Sequence, residues 1–370
     1  MYIRSCTKLS KMRAIISIFF LAIFCGTSLA QEDDLQAKKD SLIQNDSLFQ
    51  IAEAERHYNL GVSFMQQNNN SGAIAEFNQA LSIMPNFAVA KFNRGMAYFS
   101  MNQNDKAKAD FIQVLEMDST YHQAHFQIGL VQMKNNQMEQ AFASYSEAIA
   151  LNKKQAKYFY YRGMLRFQQN EFKEAIIDYD RAIMLKRDYA YAYNDRGSAK
   201  RKLNNLEGAV ADYVLAVKSN PGLAFAYNNL GSAKRQQKDY DGAISEYNQA
   251  IRLKKEYYVA FNNRGMAKYA NKDYEGAVSD FTEAIKIKED YAFALNNRAS
   301  AKIRLEKYKS AIIDCDAAIK LDPSYGYAFY NRGIANEMTR DLDAACSDWE
   351  KAASMGIEIA GEYKRITCNQ

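Results

Sequence analysis

At 370 residues the chain has room for two ordinary domains, and 48% hydrophobic and 25% charged residues with only three prolines describe a chain that folds. The formal net charge is +5, but the first 30 residues hold four basic side chains (Arg4, Lys8, Lys11, Arg13) and no acidic one, leaving 44 basic against 43 acidic in the rest. A net of +1 removes any global electrostatic case for nucleic acid or an anionic membrane as partner.

The N-terminus reads as a targeting segment. A basic start precedes an apolar run from Ala14 to Cys25, then the small residues Ser28-Leu29-Ala30 and an acidic Gln31-Glu32-Asp33-Asp34. That order predicts a secretory signal peptide over 1–30, cleaved after Ala30, with no membrane insertion afterwards. The apolar run is too short to span a bilayer comfortably. An uncleaved anchor is the alternative, and a lipidated Cys25 is weaker because Phe24 stands where a small residue is usual. The expected location is periplasmic, or at the cell surface or beyond it. Residues 31–53 are polar with scattered Leu35, Leu42, Ile43, Leu48 and Ile51, which fits either a helix capping the first repeat or a loose segment.

From residue 54 the chain repeats itself. Asn-Arg-Gly recurs at Gly95, Gly265 and Gly333, with variants at Gly163, Gly197 and Gly231, always at multiples of 34 residues. With that glycine as position 8, nine copies cover 54–359 without insertion or deletion. Position 8 is Gly in eight copies and Ala299 in the other; position 20 is Ala in all nine. Position 24 is aromatic in eight, from Phe77 to Trp349, with Cys315 in the eighth copy. Positions 20, 24 and 27 fall on one helical stripe, and small residues at 8 and 20 let two helices approach closely. Turn residues gather near positions 15–17, as in Asn68-Asn69-Asn70, and all three prolines (Pro85, Pro221, Pro323) sit at position 32, where they end a second helix. Each copy is therefore a helix–turn–helix that buries its apolar stripe only by stacking on neighbours, and a final helix over 357–370 is expected to cover the last one. The array itself is placed at 54–359 and a C-terminal capping segment at 360–370.

This unit resembles the tetratricopeptide repeat (TPR) family, which has the same length, small residues at 8, 20 and 27, and proline at 32. The resemblance implies an all-α, right-handed superhelical solenoid of nine TPR repeats. One departure is local: the family usually has a large residue at 11, as in Phe64 and Tyr98, whereas Lys200, Lys234, Lys268 and Lys302 stand there in the fifth to eighth copies.

No chemistry stands out. Only His57, His122 and His125 are present; the last two lie one helical turn apart with no Cys or acidic neighbour, too thin for a metal. No phosphate loop and no nucleophile–base set is suggested, so neither an enzyme nor a cofactor is expected. In the family the first helix of each repeat lines a concave groove through positions 2, 5, 6, 9, 12 and 13. Carried over, position 5 gives Tyr58, Phe92, Phe126 and Tyr160, then Asn194, Asn228, Asn262 and Asn296. Met164 at position 9 and Phe167 at 12 extend the aromatic half; Arg201 and Arg235 at 12, with Arg304, flank the amides. The first half suits an apolar or helical ligand, and the Asn ladder suits an extended backbone. The aromatics equally fit packing between adjacent first helices. The expected function is a protein-binding scaffold holding a partner's extended or helical segment. Alternatives are a structural or assembly role with self-association, and the recognition subunit of an enzyme whose catalytic chain is separate.

The sequence carries two structural expectations besides. Arg at position 7 (Arg94, Arg162, Arg196, Arg264, Arg298, Arg332) always coincides with Asp at position 23 (Asp110, Asp178, Asp212, Asp280, Asp314, Asp348), which predicts a salt bridge inside each repeat. If the chain reverses near Gly356, Cys346 and Cys368 lie about equally far on either side, which predicts a disulfide and leaves Cys315 as a buried thiol.

Overall fold

The computed structural model describes residues 29–368, so the expected signal peptide lies almost wholly outside the described residues. Nineteen helices and no strand succeed one another within them: α1 Leu29–Gln66, α2 Asn70–Ile83, α3 Ala88–Ser100, α4 Asn104–Met117, α5 His122–Lys134, α6 Met138–Leu151, α7 Ala156–Gln168, α8 Phe172–Leu185, α9 Ala190–Lys202, α10 Leu206–Ser219, α11 Ala224–Gln236, α12 Tyr240–Leu253, α13 Tyr258–Ala270, α14 Tyr274–Ile287, α15 Ala292–Arg304, α16 Tyr308–Leu321, α17 Gly326–Met338, α18 Leu342–Ser354 and α19 Glu358–Thr367. They are tandem helix–turn–helix repeats, as the 34-residue register requires. They form two compact units, one ending at Ser119 and one beginning at Thr120.

The turn inside each repeat has a simple chemical cause. Position 15 adopts a left-handed backbone every time, with φ between 56° and 66° from Asn68 to Arg340. Asn, which tolerates that region, supplies it in the first five (Asn68, Asn102, Asn136, Asn170, Asn204); Lys238, Lys272, Glu306 and Arg340 supply it afterwards. The next residue often caps the second helix: Asn69, Asn205, Asp239 and Asp273 accept from the backbone N–H groups of Gly72, Gly208, Gly242 and Gly276 at 2.9–3.0 Å. Second helices end at position 30 in the first eight repeats, two residues before the prolines where these occur.

Packing inside a repeat is set by the small residues. A Cβ built on Gly265 would lie 2.7 Å from Phe281, and one on Gly231 2.8 Å from Tyr247, so the ring at position 24 fills space that only glycine leaves open. In the eighth repeat Ala299 restores the Cβ and Cys315 shrinks the partner, a compensating exchange between fully buried residues.

All six Arg–Asp pairs form, each through two hydrogen bonds. At Arg264, Nε donates to Asp280 Oδ2 at 2.8 Å and Nη2 to Oδ1 at 2.5 Å. The third nitrogen reaches back one repeat, from Arg264 Nη1 to Asn248 at 2.6 Å and from Arg196 Nη1 to Asp180 at 2.5 Å. The position-11 lysines also join: Lys200, Lys268 and Lys302 stand 2.7–2.9 Å from Asp212, Asp280 and Asp314. In the sixth repeat, where Leu230 replaces the arginine, Lys234 pairs with Glu246 instead at 2.6 Å. The lysines that depart from the family pattern therefore neutralise a buried carboxylate where a large apolar residue would add bulk.

The two ends of the array are finished differently. The 31–53 segment is helical, continuous with the first helix of the first repeat, but Leu35, Leu42, Ile43, Leu48 and Phe49 are 55–67% exposed. At the other end α19 does cover α18: Tyr363 meets Trp349 at 5.2 Å and Tyr330 at 5.7 Å. Gly356, at φ 86°, makes the reversal, and Cys346 and Cys368 are bonded with Cα atoms 5.8 Å apart. Cys315 is free and buried, and burial pushes its thiol well above the ordinary value.

Candidate binding face of the first helices

The side chains at positions 5 and 6 form a ladder between successive first helices. Asn229, Asn263, Asn297 and Asn331 donate through Nδ2 to the Oδ1 of Asn194, Asn228, Asn262 and Asn296, at 2.8–3.0 Å and always 35 residues apart. The spacing is one repeat plus one residue, which joins position 5 of each repeat to position 6 of the next. Tyrosine serves where asparagine is missing: Asn93 donates to the Tyr58 hydroxyl at 3.1 Å, and the Tyr160 hydroxyl donates to Asp195 at 2.9 Å. Between Phe126 and Tyr161 the same step is a ring contact at 5.3 Å.

This corrects the reading of position 5 as a ligand-facing row. Asn194, Asn228, Asn262 and Asn296 are only 4–7% exposed, and their carbonyl oxygens are taken by the next repeat. Phe126 and Tyr160 are likewise buried, and Tyr58 and Phe92 stack at 6.0 and 5.5 Å on Phe77 and Phe111, the position-24 rings of their own repeats. The cause is orientation: position 5 points along the stack toward the neighbouring helix. The other carried-over residues remain partly open. Met164 and Phe167 are half-buried, Phe167 edge-on to Phe172 at 5.3 Å. Arg201 and Arg235 are half-buried beside Tyr213 and Tyr247; burial pushes those hydroxyls up, while hydrogen bonds with Ser198 and Ser232 and the two guanidinium charges offset part of the shift. Arg304 is exposed over the Tyr274 ring at 5.3 Å.

The open part of this face lies at position 2, flanked by half-buried rings at position 34, where repeats join. In the second unit Tyr191, Phe293 and Tyr327 are 46–55% exposed. They continue through ring contacts, Tyr191 with Phe225 at 5.8 Å and Phe293 with Tyr325 at 5.1 Å. Lysines border the stripe: Lys254 stands 5.1 Å from the Tyr257 ring centre and Lys288 5.1 Å from that of Tyr258. The recurrence of an aromatic at position 2 is the signal in the sequence that points to this stripe, and the stronger alternation at position 5 masks it. A cleft of about 470 Å³ opens at one end of the stripe, lined by Tyr160, Tyr161, Met164, Lys186, Tyr189 and Tyr191 among others.

His122 is tied into the fold. His122 contacts the Tyr158 hydroxyl at 2.7 Å and Asn152 at 3.0 Å, and burial, with Lys157 nearby, holds it below the ordinary imidazole value. Among the described residues no cluster of metal-ligating side chains occurs, and no helix is long and apolar enough to cross a membrane.

No curated protein matches the chain. The solved structure of a tetratricopeptide repeat protein from Parabacteroides merdae is 18% identical over 67% of this chain and 98% of that one, with a TM-score of 0.53. That of pilF from Pseudomonas aeruginosa is 15% identical over 58% and 97%, with a TM-score of 0.52. At such identities the likeness shows the fold alone. Profiles described as TPR repeat match residues 163–203 and 231–272, and profiles described as tetratricopeptide repeat match 54–87, 92–156, 190–222, 262–325 and 296–356, so the chain belongs to the tetratricopeptide repeat family.

Proposed function

We propose that this protein is an exported, non-catalytic scaffold that holds an extended or helical segment of a partner protein against the first helices of its second unit. Tetratricopeptide repeats are typically protein-interaction modules, and the observation that carries the reading here is the aromatic stripe. Rings as large as Tyr191, Phe293 and Tyr327, each about half exposed, are the residue types that anchor protein interfaces. The basic, apolar and small-residue order of the N-terminus supports export, and the Cys346–Cys368 bond suits an oxidising compartment. The test is a crosslinking pull-down from the native envelope fraction, comparing the wild type with a Tyr191→Ala/Phe293→Ala/Tyr327→Ala variant. A protein captured by the first and lost by the second is expected; equal capture, with helicity intact, refutes the assignment.

One observation favours a second reading, self-association. The N-terminal half of α1 exposes Leu35, Leu42 and Phe49 at seven-residue spacing, an apolar line on one helix face. Sedimentation of a Leu35→Lys/Leu42→Lys/Phe49→Lys variant against the wild type separates the two.

A further inference from the structure

Asp195 is the exception in the ladder. The four following repeats place Asn229, Asn263, Asn297 and Asn331 at position 6, and the fifth repeat places a carboxylate there. Its Oδ2 accepts from the Tyr160 hydroxyl and its Oδ1 from Asn194 Nδ2, both at 2.9 Å. Among the described residues no basic side chain comes within ion-pair distance of it, although every buried aspartate at position 23 has at least one arginine. A carboxylate accepts from both donors, whereas an amide has one acceptor oxygen and, as Asn93 does toward the Tyr58 hydroxyl, would have to donate across the step instead. The hydrogen bonds leave the charge itself without a cationic partner, which burial makes costly.

Around this carboxylate the chain gathers rings. Tyr160 meets Tyr161 at 5.4 Å, Tyr179 at 6.0 Å and Tyr189 at 4.9 Å. Three of these, with Tyr191 and Met164, line the cleft of about 470 Å³; Asp195 does not itself line it but is bonded to the hydroxyl of one wall ring, Tyr160. The charged residues lining the cleft are Lys186 and Asp188; Lys186 places its ammonium 5.2 Å from the Tyr189 ring centre and does not reach Asp195. Aromatic faces with a carboxylate behind them are what a desolvated cation requires.

We propose that the cleft formed by Tyr160, Tyr161, Tyr189 and Tyr191 is a specificity pocket for one cationic side chain, an arginine or lysine, of the segment bound by the scaffold, with Asp195 as its counter-ion. The proposal rests on the scaffold reading and adds the chemistry of the partner. Burial raises the Asp195 carboxyl above its ordinary range, with the Asn194 and Tyr160 hydrogen bonds offsetting part of the rise.

The test titrates the full chain with acetyl-Gly-Gly-Arg-Gly-Gly-amide, its lysine counterpart and its neutral citrulline isostere, read by tyrosine ring chemical shifts. Saturable binding of the arginine or lysine peptide, at least tenfold tighter than citrulline, is expected in the wild type and lost in Asp195→Asn. Equal binding of citrulline, or undiminished cation binding by Asp195→Asn, overturns the proposal; the citrulline arm needs no variant, so it holds even where the substitution disturbs the fold. Failure of the scaffold reading is distinguishable. If the charged peptide binds through Asp195 while the pull-down captures nothing, the pocket stands alone; if a partner is captured equally by wild type and Asp195→Asn and no peptide binds, the scaffold stands without the pocket.

Discussion

Consider removing Arg264, replaced by Met to keep its apolar stem. Asp280, with 3% of its side chain exposed, then loses both bonds of its bidentate partner, and the tie to Asn248 in the preceding repeat goes too. Breaking a buried pair by deleting one partner costs about 3–5 kcal/mol, because the remaining charge is stranded. Here the cost is smaller. Lys268 stays 2.9 Å from the other carboxylate oxygen, and the guanidinium is itself 18% exposed, so a loss of about 2–3 kcal/mol is expected. Asp280→Leu strands two cations that sit closer to solvent, and the double variant Arg264→Met/Asp280→Leu should lose less than the sum by about 1–3 kcal/mol. Urea unfolding followed by circular dichroism measures all four corners; constant slopes establish that one transition is compared, which a repeat array does not guarantee. Repeating the cycle with Lys268→Met adds an internal check, since without the second cation Arg264→Met should cost more. Additive losses, or an unchanged cost in the Lys268→Met background, would refute the reasoning.

The ladder makes Asn228→Ala a stability variant: it removes a side chain 7% exposed and orphans the half-buried Asn263 amide, for an expected loss of about 1–3 kcal/mol measured by urea unfolding. Gly265→Ala drives a Cβ to 2.7 Å from Phe281 and should cost about 1–3 kcal/mol, with Phe281→Cys recovering part of it, as the Ala299–Cys315 pair does naturally. Reducing Cys346–Cys368, which spans 22 residues, should weaken the C-terminal end by about 3 kcal/mol, seen as faster amide exchange in α19 and unchanged exchange in α9. Asp195→Asn should raise the thermal midpoint at neutral pH. The folded carboxyl holds its proton more tightly than the unfolded one, so the wild type loses stability as pH rises from the ordinary aspartate value through the raised one, and the advantage of the variant should vanish at acid pH.

How much of this was legible depends on whether a side chain reports to its own repeat or to the next. The Arg–Asp bridge acts within one repeat, so presence and absence track together along the sequence: Arg264 comes with Asp280, and Leu230 comes with Glu246. That coupling is enough to name both partners from the sequence. The glycine at position 8 and the ring at position 24 are equally local, and the Ala299–Cys315 exchange carries the same signature. The rung from position 5 to position 6 crosses between repeats, and in a run of near-identical copies such a pair looks like two independent preferences. Asn at 5 then reads as an open amide, when its oxygen is already committed to the following helix. A trace was nevertheless present: Asn occupies position 5 in the fifth to eighth repeats and, besides Asn59 and Asn93, position 6 in the sixth to ninth, an offset of one repeat that fits a contact across the interface. The same offset singles out Asp195. It stands at position 6 of the first repeat in the Asn run, facing Tyr160 from the last repeat of the aromatic run, so it marks the point where one kind of rung gives way to the other. A rung there needs acceptors for two donors, the Tyr160 hydroxyl and the Asn194 amide, and a carboxylate supplies both. What the ladder leaves unmatched is the charge, which has no cation beside it among the described residues, and Asp195 is therefore the place where stability and binding should part company under mutation.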